Sequence, residues 1–155
     1  REPLDLAGVV DQALHLLDPR LREDNVSIAL HLTRPARVRG DAIRLEQVLI
    51  NLLRNALDAM RDKPLKRLEI RIEADQQLWL LTVADSGGGI AEEHLAKVFD
   101  PFFTTKPVGE GLGLGLAVSY AIVHEQGGRL SVVNRHDGAC FTLALPIAVE
   151  VREPC

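Results

Sequence analysis

Residues 41–60 read DAIRLEQVLINLLRNALDAM, and the reading of this stretch decides what the chain can build. Leu45, Val48, Leu49, Leu52, Leu53, Ala56, Leu57 and Met60 recur at helical spacing and give a wide apolar face. Asp41 is placed to cap this helix, and Asp62-Lys63-Pro64 to stop it. A helix with so broad an apolar face has to lie on a core. At about 100° per residue, Asn55 falls about 40° from Asn51 and Asp58 about 20° to the other side, all away from that face. Such a polar stripe is ordinarily a solvated surface. Two Asn in mid-helix weaken that reading, because Asn is a poorer helix former than Gln, Glu or Lys. An amide oxygen is also a usable Mg²⁺ ligand where nucleotide phosphates supply the remaining charge.

On the N-terminal side, Asp5 is placed as an N-cap, with Leu4 and Val9 as a hydrophobic staple. Leu6, Val9, Val10, Ala13, Leu14 and Leu17 then mark a helix ending near Asp18-Pro19. Val26, Ile28, Leu30 and Leu32 alternate as a strand, and Arg37 to Arg39 predict a short one before Gly40. On the C-terminal side, Leu68, Ile70 and Ile72 alternate with charged residues. A turn at Asp75-Gln76-Gln77 leads into a more buried strand from Leu78 to Ala84, making a hairpin. A short helix around 92–98 precedes a long aperiodic stretch from Phe99 to Gly113, and a third main helix runs from Leu114 to Gln126 until Gly127-Gly128. Strands at 129–134 and 139–145, joined at Arg135-His136-Asp137-Gly138, close the chain. The pattern predicts one α+β domain over residues 1–155, a sheet covered on one face by helices.

Eighteen basic against twenty-two acidic residues give a net charge of −4 without a basic run, which argues against wrapping nucleic acid. A hydrophobic content of 46% excludes a disordered chain, and no apolar run is long enough to cross a bilayer. Cys140 and Cys155 make neither a disulfide framework nor a Cys-x-x-Cys site, in keeping with a reducing compartment. The start at Arg1 rather than Met suggests a piece of a longer protein.

Seven of the twelve glycines fall in two short stretches. In Asp85-Ser86-Gly87-Gly88-Gly89-Ile90, three glycines strip the side chains beside one carboxylate. They leave either a tight turn or a slot where a planar ring could offer an amino group to Asp85. Gly109, Gly111, Gly113 and Gly115 alternate with Leu112, Leu114 and Leu116 at the start of the third helix, where backbone amides and the helix dipole favour anions. No G-x-x-x-x-G-K-[ST], G-x-G-x-x-G or H-E-x-x-H motif is present, and the five His are scattered.

Taken together, residues 47–59 (QVLINLLRNALDA), 85–90 (DSGGGI), 98–106 (VFDPFFTTK) and 111–116 (GLGLGL) resemble, in order, the N, G1, F and G2 boxes of the catalytic ATP-binding domain of bacterial sensor histidine kinases. The Phe-Phe-Thr-Thr-Lys form is most similar to the subgroup of nitrogen-regulation, oxygen-sensing and dicarboxylate-sensing kinases. The resemblance implies a two-layer α/β sandwich of the Bergerat type, shared with gyrase, Hsp90 and MutL. Its sheet would be mixed and mostly antiparallel, with three helices on one face and a mobile ATP lid at about 99–115.

By the same resemblance Asn55 would coordinate Mg²⁺, Asn51 would lie near the phosphates, and Asp85 would accept the adenine amino group. Gly87 and Gly89 would admit the ring and Ile90 line its pocket. Lys106 would meet phosphate, and the amides of Gly111, Leu112, Gly113, Leu114, Gly115 and Leu116 would cradle it. ATP would be the nucleotide and ADP the product. Three departures stand out. Asn51 occupies the place of the water-activating Glu of the ATPase branch, which favours a kinase over a gyrase- or Hsp90-type hydrolytic switch, while the intact boxes argue against a nucleotide-sensing module without transfer. Asp58 stands where many histidine kinases have Lys, which suits a water-linked or structural role beside the nucleotide. Cys140 stands where small hydroxyl residues are common, close to the expected base pocket.

None of the five His carries the acidic residue and distal Pro of the family's H box. The phosphoacceptor would therefore belong to a helical domain upstream, with a response regulator as the onward partner. The resemblance further implies a cytoplasmic location, without nucleic acid or direct membrane contact.

Overall fold

A computed structural model describes residues 2–105 and 114–149 of the chain. Its elements are β1 (Glu2–Asp5), α1 (Leu6–Leu16), α2 (Asp18–Glu23), β2 (Ser27–Leu32), β3 (Arg37–Gly40), α3 (Ala42–Ala59), β4 (Arg67–Asp75), β5 (Leu78–Asp85), α4 (Glu92–Leu95), α5 (Gly115–Glu125), β6 (Arg129–Arg135) and β7 (Gly138–Pro146). Five strands form one sheet in the order β2-β4-β5-β7-β6, while β1 and β3 pair separately. Only β2 and β4 run parallel; the other pairs are antiparallel. This is the mixed, mostly antiparallel sheet that was expected.

The register explains the two layers. Ile70 faces Val83, which faces Phe141, which faces Val132, and Ile72 continues through Leu81 and Leu143 to Leu130. With side chains alternating along each strand, these rows share one face. All but Val132 are at most 3% exposed, and Val132 packs against the same core. The intervening row of Arg71, Thr82, Thr142 and Ser131 lies on the other face, which no described helix covers. Helix α3 packs on β5 and on both α1 and α5, and α5 packs on β6. Every apolar position predicted for α3 is buried, and Asp41 Oδ1 accepts from Ile43 N and Arg44 N at 3.0 and 3.2 Å as its cap.

Several elements differ from the sequence reading. Helix α1 ends at Leu16, beside Asp18-Pro19 as expected, but a second helix follows at once: Pro19 stands in the first turn of α2, which its fixed φ and missing N–H suit. Strand β1 was not expected; its partner β3 supplies the hydrogen bonds that a four-residue segment lacks by itself. Ile28 and Leu30 stay 39% and 43% exposed, since β2 is an edge strand. The short helix expected over 92–98 covers only Glu92–Leu95. Gly127, at φ +78°, ends α5 in the left-handed conformation its sequence suggested.

Leu53 is fully buried between the layers. Leu53→Ala is expected to destabilise the domain by about 3 kcal/mol, through lost transfer energy and a residual cavity, as read by urea unfolding.

Candidate nucleotide site

The polar side of α3 forms one wall of a cleft of about 1040 Å³, lined by Asn51, Asn55 and Asp58 on that helix, Gly89 and Ile90 after β5, and Leu114 to Leu116 at the start of α5. Phe103 adds an aromatic edge and packs on His94 with ring centroids 5.2 Å apart. The stripe read from helical spacing is therefore a cleft wall and not merely a wet surface.

Asn51 ties the two helices. Its Nδ2 donates to Gly115 O and to Ser119 Oγ, each at 3.2 Å, and Ser119 is fully buried. Asn55 lies one turn further along α3, half-buried in the cleft. Among the described residues no group of three His, Cys, Asp or Glu could hold a metal by itself. The single amide oxygen of Asn55 thus suits a hard cation whose other ligands are phosphate and water. Asp58 Oδ1 accepts from Arg20 Nη2 at 2.7 Å and Arg61 Nη2 at 3.3 Å, so its carboxylate is engaged by guanidinium groups of the protein.

The glycine turn is built differently from an empty slot. A Cβ on Gly87 would lie 2.7 Å from Ala59 Cβ, so Gly87 is required by packing against the end of α3. Asn134 Oδ1 accepts from Ile90 N at 2.8 Å while its Nδ2 donates to Ile90 O at 2.7 Å, and Gly88 N donates to Asp137 O at 2.7 Å. The β6–β7 hairpin therefore holds the turn from behind. Ser86 Oγ accepts from Arg67 N and donates to Leu65 O at 2.9 and 3.1 Å, locking the entry to β4.

Asp85 is not among the residues that line the main cleft; it continues the row of Leu81 and Val83 on the helix-covered face of the sheet, and the end of β5 where it stands also borders a groove of about 620 Å³. It is 7% exposed. Its Oδ1 accepts from Gly87 N at 2.8 Å and Ala139 N at 3.4 Å, while Oδ2 takes no hydrogen bond from the described residues. Burial pushes its carboxyl above the ordinary value, with a smaller push from Asp137, against the lowering effect of the two amides. Gly138 is pressed against Asp85 so closely that no Cβ fits.

Residues 40–149 match the family of histidine kinase-, DNA gyrase B- and HSP90-like ATPases. The chain is 31% identical to the catalytic domain of the histidine kinase ThkA, with a TM-score of 0.85 over 94% of this chain and 97% of that one. This chain is a histidine kinase catalytic ATP-binding domain. It is also 42% identical over 152 residues to the two-component sensor PprA of Pseudomonas aeruginosa, covering 94% of this chain and 16% of PprA. A further similarity is to the C4-dicarboxylate transport sensor DctB of Rhizobium meliloti, 42% identical over 144 residues, covering 92% of this chain and 23% of DctB. The chain thus spans under a quarter of these curated relatives.

Within this kinase domain, the cleft brings together Asn51, Asn55, Asp58, Gly89, Ile90, Leu114, Gly115 and Leu116, whereas Asp85 and Gly87 are not among its lining residues. Lys106, Gly111, Leu112 and Gly113 lie outside the described residues. Cys140 is one residue out of phase with Phe141, whose ring meets Phe99 at 6.2 Å on the helical side. Its thiol accordingly faces the uncovered side of the sheet, yet Cys140 borders the same groove of about 620 Å³ as Asp85. Sequence reasoning missed Arg20, Asn134 and Ser119. The Asn-x-x-Asp-Gly turn beginning at Asn134 was a signal only for a hairpin, and nothing local marks a side chain that serves a distant loop.

Because burial raises the Asp85 carboxyl in the folded state, stability from this group increases as pH falls through that raised value, and the gain is complete below 3.8. Asp85→Asn should therefore be most favourable to stability at neutral pH, with its advantage fading below about pH 4. Urea melts across this range would show it; a difference independent of pH would contradict it.

Proposed function

We propose that this domain binds ATP with Mg²⁺ in the cleft beside α3 and directs its γ-phosphoryl group to a His on a separate helical domain, leaving ADP. The observation that carries the proposal is the convergence of Asn51 and Asn55 with the glycine turn and the N-terminal turn of α5 around one cavity. Asn55 offers the amide oxygen for Mg²⁺, and the metal, when bound, offsets phosphate charge. Asp85 Oδ2 accepts the adenine amino group, while Gly87 N and Ala139 N hold Oδ1 in place. Ile90, fixed by Asn134, supports the base from the turn. The start of α5 presents backbone N–H groups to the phosphates, joined in this proposal by Lys106 and the amides of Gly111 to Gly113.

Transfer to an imidazole is supported over hydrolysis by Asn51. Its amide cannot accept a proton from water, and its nitrogen is already committed to Gly115 and Ser119. The chain's part in the chemistry is thus positioning and electrostatic stabilisation, while the His nucleophile attacks in line with the departing ADP oxygen. ThkA has been solved in complex with the response regulator TrrA. A response regulator is accordingly the proposed onward acceptor here, and the cytoplasm the proposed location. No described helix is long and apolar enough to cross a membrane.

Two measurements test this reading. Calorimetry should show ADP binding with Mg²⁺ and a weakening of at least about tenfold in Asp85→Asn, which replaces a charge-assisted acceptor with an amide. The 155-residue chain incubated with γ-labelled ATP should not label itself, whereas adding the histidine-bearing helical domain of the same kinase should yield acid-labile phosphohistidine. Asn55→Asp should suppress that transfer with little change in thermal stability. Efficient self-labelling on His15, His31, His94, His124 or His136 would contradict the assignment of the acceptor.

A further inference from the structure

Arg20 is the one cleft residue contributed by α2, an element that the four sequence motifs do not touch. Its side chain is 33% exposed and is held at two points: Nη2 donates to Asp58 Oδ1 at 2.7 Å and Nε to Asp24 Oδ2 at 3.4 Å. A guanidinium has five N–H donors in a rigid plane. These two bonds consume one edge, leaving Nη1 without a hydrogen bond to any described residue. The side chain is thus preorganised rather than swinging in solvent.

The charge around it is one-sided. Among the described residues, Arg20, Arg54 and Arg61 line the cleft against a single carboxylate, Asp58. Asp58 spends Oδ1 on both Arg20 and Arg61. It lies one helical turn beyond Asn55, which places Arg20 beside the position offered to the metal and its phosphates. A donor-only, planar cation in that place recognises phosphate oxygens.

We infer that Arg20 is a phosphate-binding residue of this domain, held in position by Asp58, which organises the cation instead of touching the nucleotide itself. The inference rests on the nucleotide reading of the cleft. It explains how an acidic residue can sit in the wall of a site for a polyanion: the carboxylate fixes the orientation of a guanidinium whose remaining donors face the ligand.

The test compares ADP and adenosine, each displacing a fluorescent adenine nucleotide from the wild-type domain in the presence of Mg²⁺. In Arg20→Ala and in Arg20→Gln, which keeps length and some donors but no charge, ADP affinity should fall by about tenfold while adenosine affinity stays within about twofold. Arg20→Lys should recover part of the loss. Arg22→Ala, the same charge change on the same helix at a residue 83% exposed and outside the cleft, should leave both affinities unchanged. Equal weakening of ADP and adenosine would assign Arg20 a purely structural part and overturn the inference, as would unchanged ADP affinity in both uncharged variants. Failure of the wild-type domain to bind ADP would instead remove the nucleotide reading on which it rests.

Discussion

The contact on which the site depends is the passage of the glycine turn across the end of α3. Gly87 and Ala59 approach so closely that one additional methyl group has no room. That contact fixes the spacing between the end of β5 and the polar row of α3, and so between Asp85 and the pair Asn51 and Asn55. A helix and a strand from different layers can hold the proposed base acceptor and the proposed metal-facing amide at a constant separation only if their crossing cannot slide. A contact with no room for a further methyl group resists such sliding, because repulsion rises steeply with overlap.

Around that crossing, the hairpin β6–β7 takes a part that its position in the chain conceals. Its residues cap Ile90, accept from Gly88, donate to Asp85 and leave space for the Asp85 carbonyl at Gly138. The last two strands thus complete the rear of a site whose recognisable motifs all lie earlier. Polar groups of the turn that would be costly to bury unpaired find partners there.

Much of the fold was legible because period and punctuation agreed. The apolar positions of α3 are all buried, the 75–78 hairpin closes where its turn residues stand, and α5 ends at Gly127. The exceptions have physical causes. Strand β1 and helix α2 are too short for periodicity to mark them, and both are stabilised by tertiary partners, β3 for one and the buried Leu21 within the other. For the site, spacing alone placed Asn51, Asn55 and Asp58 on one side of a helix, and the cleft lies there. What spacing could not convey is that Asp58 would be met by an arginine thirty-eight residues earlier in the chain. Nor could it tie Asp85 to the amide of Ala139 in the last hairpin or turn Cys140 to the uncovered face of the sheet. Such relations depend on register and layer packing rather than on local pattern.

Helices α3 and α5 are fastened to each other at opposite ends. Asn51 bonds the first turn of α5, while at its other end Gln126 Oε1 accepts from Asp41 N at 3.0 Å and Glu125 pairs with Arg44 at 3.2 Å. Two rods clamped at two points cannot scissor apart, so a ligand entering between them meets a wall already assembled. The entropic cost of association then falls on the ligand and its own torsions rather than on the protein scaffold. A nucleotide with a locked ribose pucker would consequently gain affinity here in proportion to its own lost freedom, with little adjustment required of the helices that receive it.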